Sequence, residues 1–171
     1  MTSDNIADLN KALDGSLSPN LPPTEKMLEF GMEILKHSSI GMELVMFAME
    51  HKLDIKIITG REETSYAPNP NQVVICLESL NPAQPARFIL LLAGAIRESM
   101  QIHAGMTTPN INEDMAKILE KTREKHGDRV SYMCAVAYEI NLLSNFTEYN
   151  ILEELKGMGY ADEVAIFLKN V

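Results

Sequence analysis

The stretch ARFILLLAGAIRESMQIHAG, residues 86–105, constrains this chain more than any other feature. Its first half is apolar on nearly every side at helical spacing, so it forms a helix surrounded by the rest of the domain, not one lying on its surface. The apolar run within it, residues 88–96, is nine residues long. A membrane-spanning helix needs roughly 20, so the run predicts a central core helix and no membrane association. Gly105 is placed to end it.

The pattern around this helix predicts a mostly helical α+β domain. Upstream, Thr24 is placed as an N-cap, with Met27, Leu28, Met32, Ile34 and Leu35 following at helical spacing, and Ser38 and Ser39 interrupting. A second helix runs from Ile40 to about His51. Residues 54–58 alternate β-branched and polar side chains and read as a strand. A second, more buried strand reads at residues 72–77, joined to the first by a loop that carries Tyr66, Pro68 and Pro70. Together they predict a small antiparallel sheet. Downstream, residues 111–125 read as a charged surface helix and residues 128–146 as a separate core helix. Two short helices, around residues 151–155 and 162–168, flank the turn Gly157-Met158-Gly159-Tyr160. Residues 1–22 combine a weak helical pattern with a Ser- and Pro-rich stretch and read as a flexible arm, leaving 23–171 as one domain.

Fifteen basic against 24 acidic residues give a formal charge of −9. That balance repels a phosphate backbone, so nucleic acid is not an expected partner. The N-terminal ten residues carry acidic side chains and no apolar core, which points to a cytoplasmic protein without a secretory signal. Cys76 and Cys134 are the two cysteines, each within apolar sequence, and are expected as buried, reduced thiols that form no disulfide framework. The same surroundings argue against either as a catalytic thiolate. The 11 methionines are expected mainly in the core.

Two helices, a small sheet with a Tyr-bearing loop and a buried helix reading LLLAGAIRESMQ form an order of parts that resembles a family of bacterial zincin-like metallopeptidases. The similarity covers residues 27–168. In that family the buried helix reads like LAHELRHAWQ and carries the HExxH zinc motif. Here Leu92 and Ala93 match its opening, Arg97 its internal arginine and Gln101 its closing glutamine. Gly94 stands in place of the first histidine, Ala95 in place of the glutamate base, and Glu98 in place of the second histidine. HExxH works because residues four apart on a helix share a face, so two imidazoles grip one Zn²⁺ while the glutamate activates its water. Residues 132–135, from Tyr132 to Ala135, align with the stretch that brings the family's further acidic ligand, and hold no acid.

The resemblance therefore implies a zincin-like fold without cofactor or metal, that is, a pseudoenzyme with a binding or regulatory role and an unknown protein or peptide partner. Tyr66, Arg97, Glu98, Gln101 and Tyr132 are the candidate binding residues. Fold analogy adds a peptide-binding groove along the strand at residues 72–77, taken as an edge. Two alternatives stay open. One is a hydrolase whose site is rebuilt around Glu98 as general base. The other is a structural homo-oligomer joined through methionine-rich faces. For Gly94 itself, close packing against another backbone is the expected explanation. Glu98 is expected to pair with Arg97, Arg87 or a lysine. His103 lies about 140° around the helix from Glu98 at 3.6 residues per turn, poorly placed to share a metal with it, and His37, His51 and His126 read as helix-end residues outside any ligand cluster.

Overall fold

Ser38 starts the fold's first tight corner. Its side chain is buried and accepts a hydrogen bond of 2.7 Å from the Gly41 N–H. This cap lets the chain leave one helix, α1 (Pro23–Leu35), and enter the next, α2 (Ser39–Glu50), almost at once. Glu139, from a distant part of the chain, accepts from the Ser39 hydroxyl at 2.8 and 3.0 Å and from the Ile40 N–H at 3.2 Å. Its negative charge complements the positive end of α2.

The computed structural model describes residues 23–60, 63–78, 85–106, 112–143 and 150–171. The expected arm, residues 1–22, lies outside them. Thr24 falls inside α1 rather than capping it, because the helix already includes Pro23, a residue suited to a first turn where no N–H partner is needed.

Three strands follow: β1 (Asp54–Thr59), β2 (Thr64–Asn69) and β3 (Gln72–Leu77). They form a sheet of order β1-β3-β2, with β1 parallel and β2 antiparallel to β3. Three sequence expectations change here. The sheet is mixed, not antiparallel. Tyr66 lies on a strand, not in a loop. And β3 is the central strand, so its residues offer no free edge. Pro68 hid β2 from the sequence pattern. It is tolerated because β2 is an edge and its pairing is irregular between Tyr66 and Asn69. The burial of residues 73–77 reflects the place of β3 in the middle of the sheet.

Helix α3 (Pro85–His103) is the expected central helix, with every residue from Phe88 to Ile96 buried. Gly105, at φ +83°, closes it. The Met106 N–H reaches the Gln101 carbonyl and the Gly105 N–H the Ile102 carbonyl, the hydrogen-bond pattern of a left-handed helix end.

Against α3 packs α4 (Met115–Leu143), a single helix of 29 residues where two were expected. Gly127 does not interrupt it. The helix runs through as the Ser131 hydroxyl bonds the Gly127 carbonyl and Asp128 is tied to α3. Its final part carries the buried Val130, Met133, Cys134, Val136, Ala137 and Ile140, whereas residues 115–124 are nearly all exposed. The chain ends with α5 (Ile151–Leu155), a π turn (Lys156–Tyr160) and α6 (Ala161–Leu168). The molecule is thus α+β and predominantly helical, with its small sheet and helices α1, α2, α4 and α5 packed around α3, and α6 packed on α4 and α5.

Among the described residues, no helix is long and apolar enough to cross a membrane. Cys76 and Cys134 are free and buried. Met133 joins the core, and Met27, Met32, Met100 and Met158 pack at its margin. Met42, Met46 and Met49 do not follow the core expectation. They project from α2 with relative exposures of 38%, 62% and 68%.

Candidate functional site

On α3, positions 87, 91, 94 and 98 fall on one face by helical period, and α4 lies across that face. Gly94 is buried beneath α4. A Cβ built on it would stand 2.9 Å from Met133 Sδ and 3.7 Å from Arg129 Cδ. The close packing expected of this glycine is therefore present, but its neighbours are side chains rather than a backbone. Ala95 is fully buried in the core.

Glu98 faces two cations of α4, with Lys125 Nζ and Arg129 Nη1 each 3.6 Å away. The expected lysine pairing is found, whereas Arg97 and Arg87 are engaged elsewhere. These residues do not fit a zinc ion. One motif position has no side chain and is covered by a thioether, the second is a methyl group in the core, and the carboxylate at the third lies between positive charges.

Arg97, the neighbour of Glu98 on α3, also reaches α4. It donates to Asp128 through Nε at 2.7 Å and Nη2 at 2.8 Å, a two-pronged pair. Its guanidinium carbon lies 3.8 Å over the Tyr132 ring. The Gln101 amide donates to Asp128 Oδ2 at 2.6 Å and to the Lys125 carbonyl at 2.8 Å. The Arg97 hydrogen bond holds the Asp128 carboxyl below its usual range against the opposing effect of burial, and Gln101 adds to it. Burial pushes the Tyr132 hydroxyl up, with Arg97 opposing. Three of the candidate residues, Arg97, Gln101 and Tyr132, are thus brought together, but as a clamp between α3 and α4. Tyr66, on β2 opposite Val74, is 40% exposed and is not part of that clamp.

A cavity of about 190 Å³ opens where α3, α4, β2 and the π turn meet, and Met133, which covers Gly94, is part of its lining. Thr64 and Ser65 line it from β2, Arg87 and Leu91 from α3, and Arg129 and Met133 from α4. Met158 and Tyr160 of the π turn close it. Arg87 forms ion pairs with Glu63, which also lines the cavity, and with Glu154 at 3.2 Å. The Nε of Arg129 is buried and has no hydrogen-bond acceptor among the described residues.

The sequence reading missed this arrangement. The spacing 87, 91, 94, 98 was available to it, but the partners on α4 could be placed only by reading residues 115–143 as one helix. His51 and His103 also meet, their rings 4.4 Å apart beside Phe47, where helix-end positions had suggested separate histidines. The His103 Nε2–H donates to the Pro70 carbonyl at 2.9 Å. Among the described residues, no three His, Cys, Asp or Glu side chains are grouped to hold a metal ion.

No protein-family model, no curated protein and no solved structure matches the chain.

Proposed function

We propose that the chain is a pseudoenzyme, a zincin-like scaffold of the metallopeptidase type that acts in a bacterial cytoplasm by binding and not by catalysis, with a protein or peptide as regulatory partner. The observation that carries this reading is the contact between Met133 and Gly94. A thioether occupies the space that the first motif imidazole would need, and among the described residues no three His, Cys, Asp or Glu side chains are grouped to hold a metal. Glu98, the residue on which a rebuilt hydrolase would depend, lies against Lys125 and Arg129, where a carboxylate serves to balance charge.

Strand addition remains the mode of binding that the sheet allows, on a different strand from the one the sequence suggested. The edge next to the cavity is β2, whose Thr64 and Ser65 line it. The test is hydrolysis of an unstructured protein substrate by the purified chain and by Glu98→Ala. The reading predicts no turnover by either protein. Turnover that disappears in Glu98→Ala would establish the hydrolase instead.

Self-association is a second reading, favoured by one observation. Met42, Met46 and Met49 repeat at helical spacing on the outer face of α2 and are exposed. A stable dimer in light scattering, lost in Met46→Glu, would support it. A monomer at every concentration would exclude it.

A further inference from the structure

We propose that the cavity where α3, α4, β2 and the π turn meet binds a free apolar α-amino acid. The proposal rests on the non-catalytic reading above and adds a small ligand in the cavity next to the β2 edge.

Charge is the first argument. On the α4 side Arg129 lines the cavity, and Glu98, outside the lining, is one carboxylate shared between Arg129 and Lys125. That side keeps a positive charge, and its Arg129 Nε is buried without an acceptor. An unpaired buried donor is costly, and a ligand acceptor would relieve that cost. Beside β2 the acidic lining residue is Glu63, and its partner Arg87 is shared with Glu154 of α5, outside the lining. The cavity therefore has a positive and a negative side. A simple anion meets Glu63, and a simple cation meets Arg129. A molecule with a carboxylate for Arg129 and an ammonium for Glu63 satisfies both.

Shape is the second argument. Leu91, Met133 and Met158 give the cavity apolar walls, and thioethers adapt to different side-chain shapes. Its volume of about 190 Å³ exceeds the ~150 Å³ cavity that accepts benzene and falls below the ~300 Å³ at which drug-sized pockets begin. One amino acid fits this range, and a folded-in peptide does not. Gly94 belongs to the same design, because its missing side chain lets Met133 and Arg129 lie across α3 to form the wall.

The experiment is calorimetric titration of the full chain with L-leucine and L-methionine, with leucinamide, N-acetyl-leucine and inorganic phosphate as comparators. Leucine or methionine binds, and each analogue that lacks one charge binds at least tenfold more weakly. Arg129→Gln and Glu63→Gln each weaken leucine binding at least tenfold while the melting temperature stays within a few degrees. If Arg129→Gln fails to fold, Glu63→Gln decides, since Glu63 lies outside the helical core.

No binding of either amino acid at millimolar concentration overturns the proposal. So does N-acetyl-leucine or phosphate binding as tightly as leucine, which would mark a plain anion site. Neither result touches the non-catalytic reading, which hydrolysis tests separately. Hydrolysis lost in Glu98→Ala would overturn that reading whatever the titrations give.

Discussion

The thioether of Met133 covers Gly94 so closely that a Cβ on the glycine would stand 2.9 Å from its sulfur. A methyl group there displaces only the end of a flexible side chain. The roughly 1 kcal/mol that alanine gains over glycine in a helix offsets the strain, so Gly94→Ala should lie within about 1 kcal/mol of wild type in urea unfolding. An imidazole must displace the whole Met133 side chain and bury a polar ring. Gly94→His should therefore lose about 2–4 kcal/mol, with or without Zn²⁺ present. A Gly94→His protein as stable as wild type would show that the space under α4 is not filled as described.

Gly41 and Gly127 should respond in opposite directions to the same substitution. A Cβ on Gly41 would lie 2.2 Å from the Leu35 carbonyl oxygen, a backbone atom that cannot move without opening the α1–α2 corner. Gly41→Ala should destabilise by about 2–4 kcal/mol, at or beyond the upper end of ordinary overpacking. Gly127 sits within α4 with no atom within 4 Å of a built Cβ. Gly127→Ala should stabilise by about 0.5–1 kcal/mol. Denaturant midpoints of the two variants check both signs.

The contrast between these glycines marks where sequence is informative. The core helix was legible because residues 88–96 leave no polar face, and the Ser38 corner because two serines interrupt the apolar pattern there, although the capping role of Ser38 was not. Strand β2 was not, since Pro68 and Asn69 resemble loop residues until a bulged edge accommodates them. Residues 111–125 and 128–146 read as two helices because helix propensity is local, whereas the clamp of Arg97 on Asp128 that secures α4 spans 31 positions. The site suffered for the same reason. Arg87, Leu91, Gly94 and Glu98 share a face by spacing alone, but only the course of α4 shows that Arg129 and Met133 meet them.

That clamp predicts an acid-sensitive contribution to stability. The Asp128 carboxyl titrates below its usual range in the folded chain, chiefly through the Arg97 hydrogen bond. A depressed carboxylate stabilises the fold above its unfolded value, about 3.9, and loses that contribution as pH falls through the folded value. At pH 7, Asp128→Asn should be less stable than wild type by about 1–2 kcal/mol. The gap should close as pH falls below about 4. A gap that is constant from pH 7 to pH 3 would contradict the assignment.

Burial pushes the Cys134 thiol up to about 11, and Glu163 adds to the shift. At pH 8 about one thiol in a thousand is then ionised, and only the thiolate is nucleophilic. Cys134 should resist iodoacetamide in the folded protein and react fully in urea, as read by mass spectrometry. Rapid labelling of the native chain at Cys134 would count against its placement in the core.

The most direct test of the non-catalytic scaffold is the metal content of protein purified without chelator, measured by elemental analysis after incubation with Zn²⁺ and desalting. With Gly94 covered by Met133 and Glu98 facing Lys125 and Arg129, the account predicts far less than one zinc per chain. Near-stoichiometric zinc that survives desalting and is lost in Glu98→Ala would contradict it, and would mean that α3 still carries a metal site.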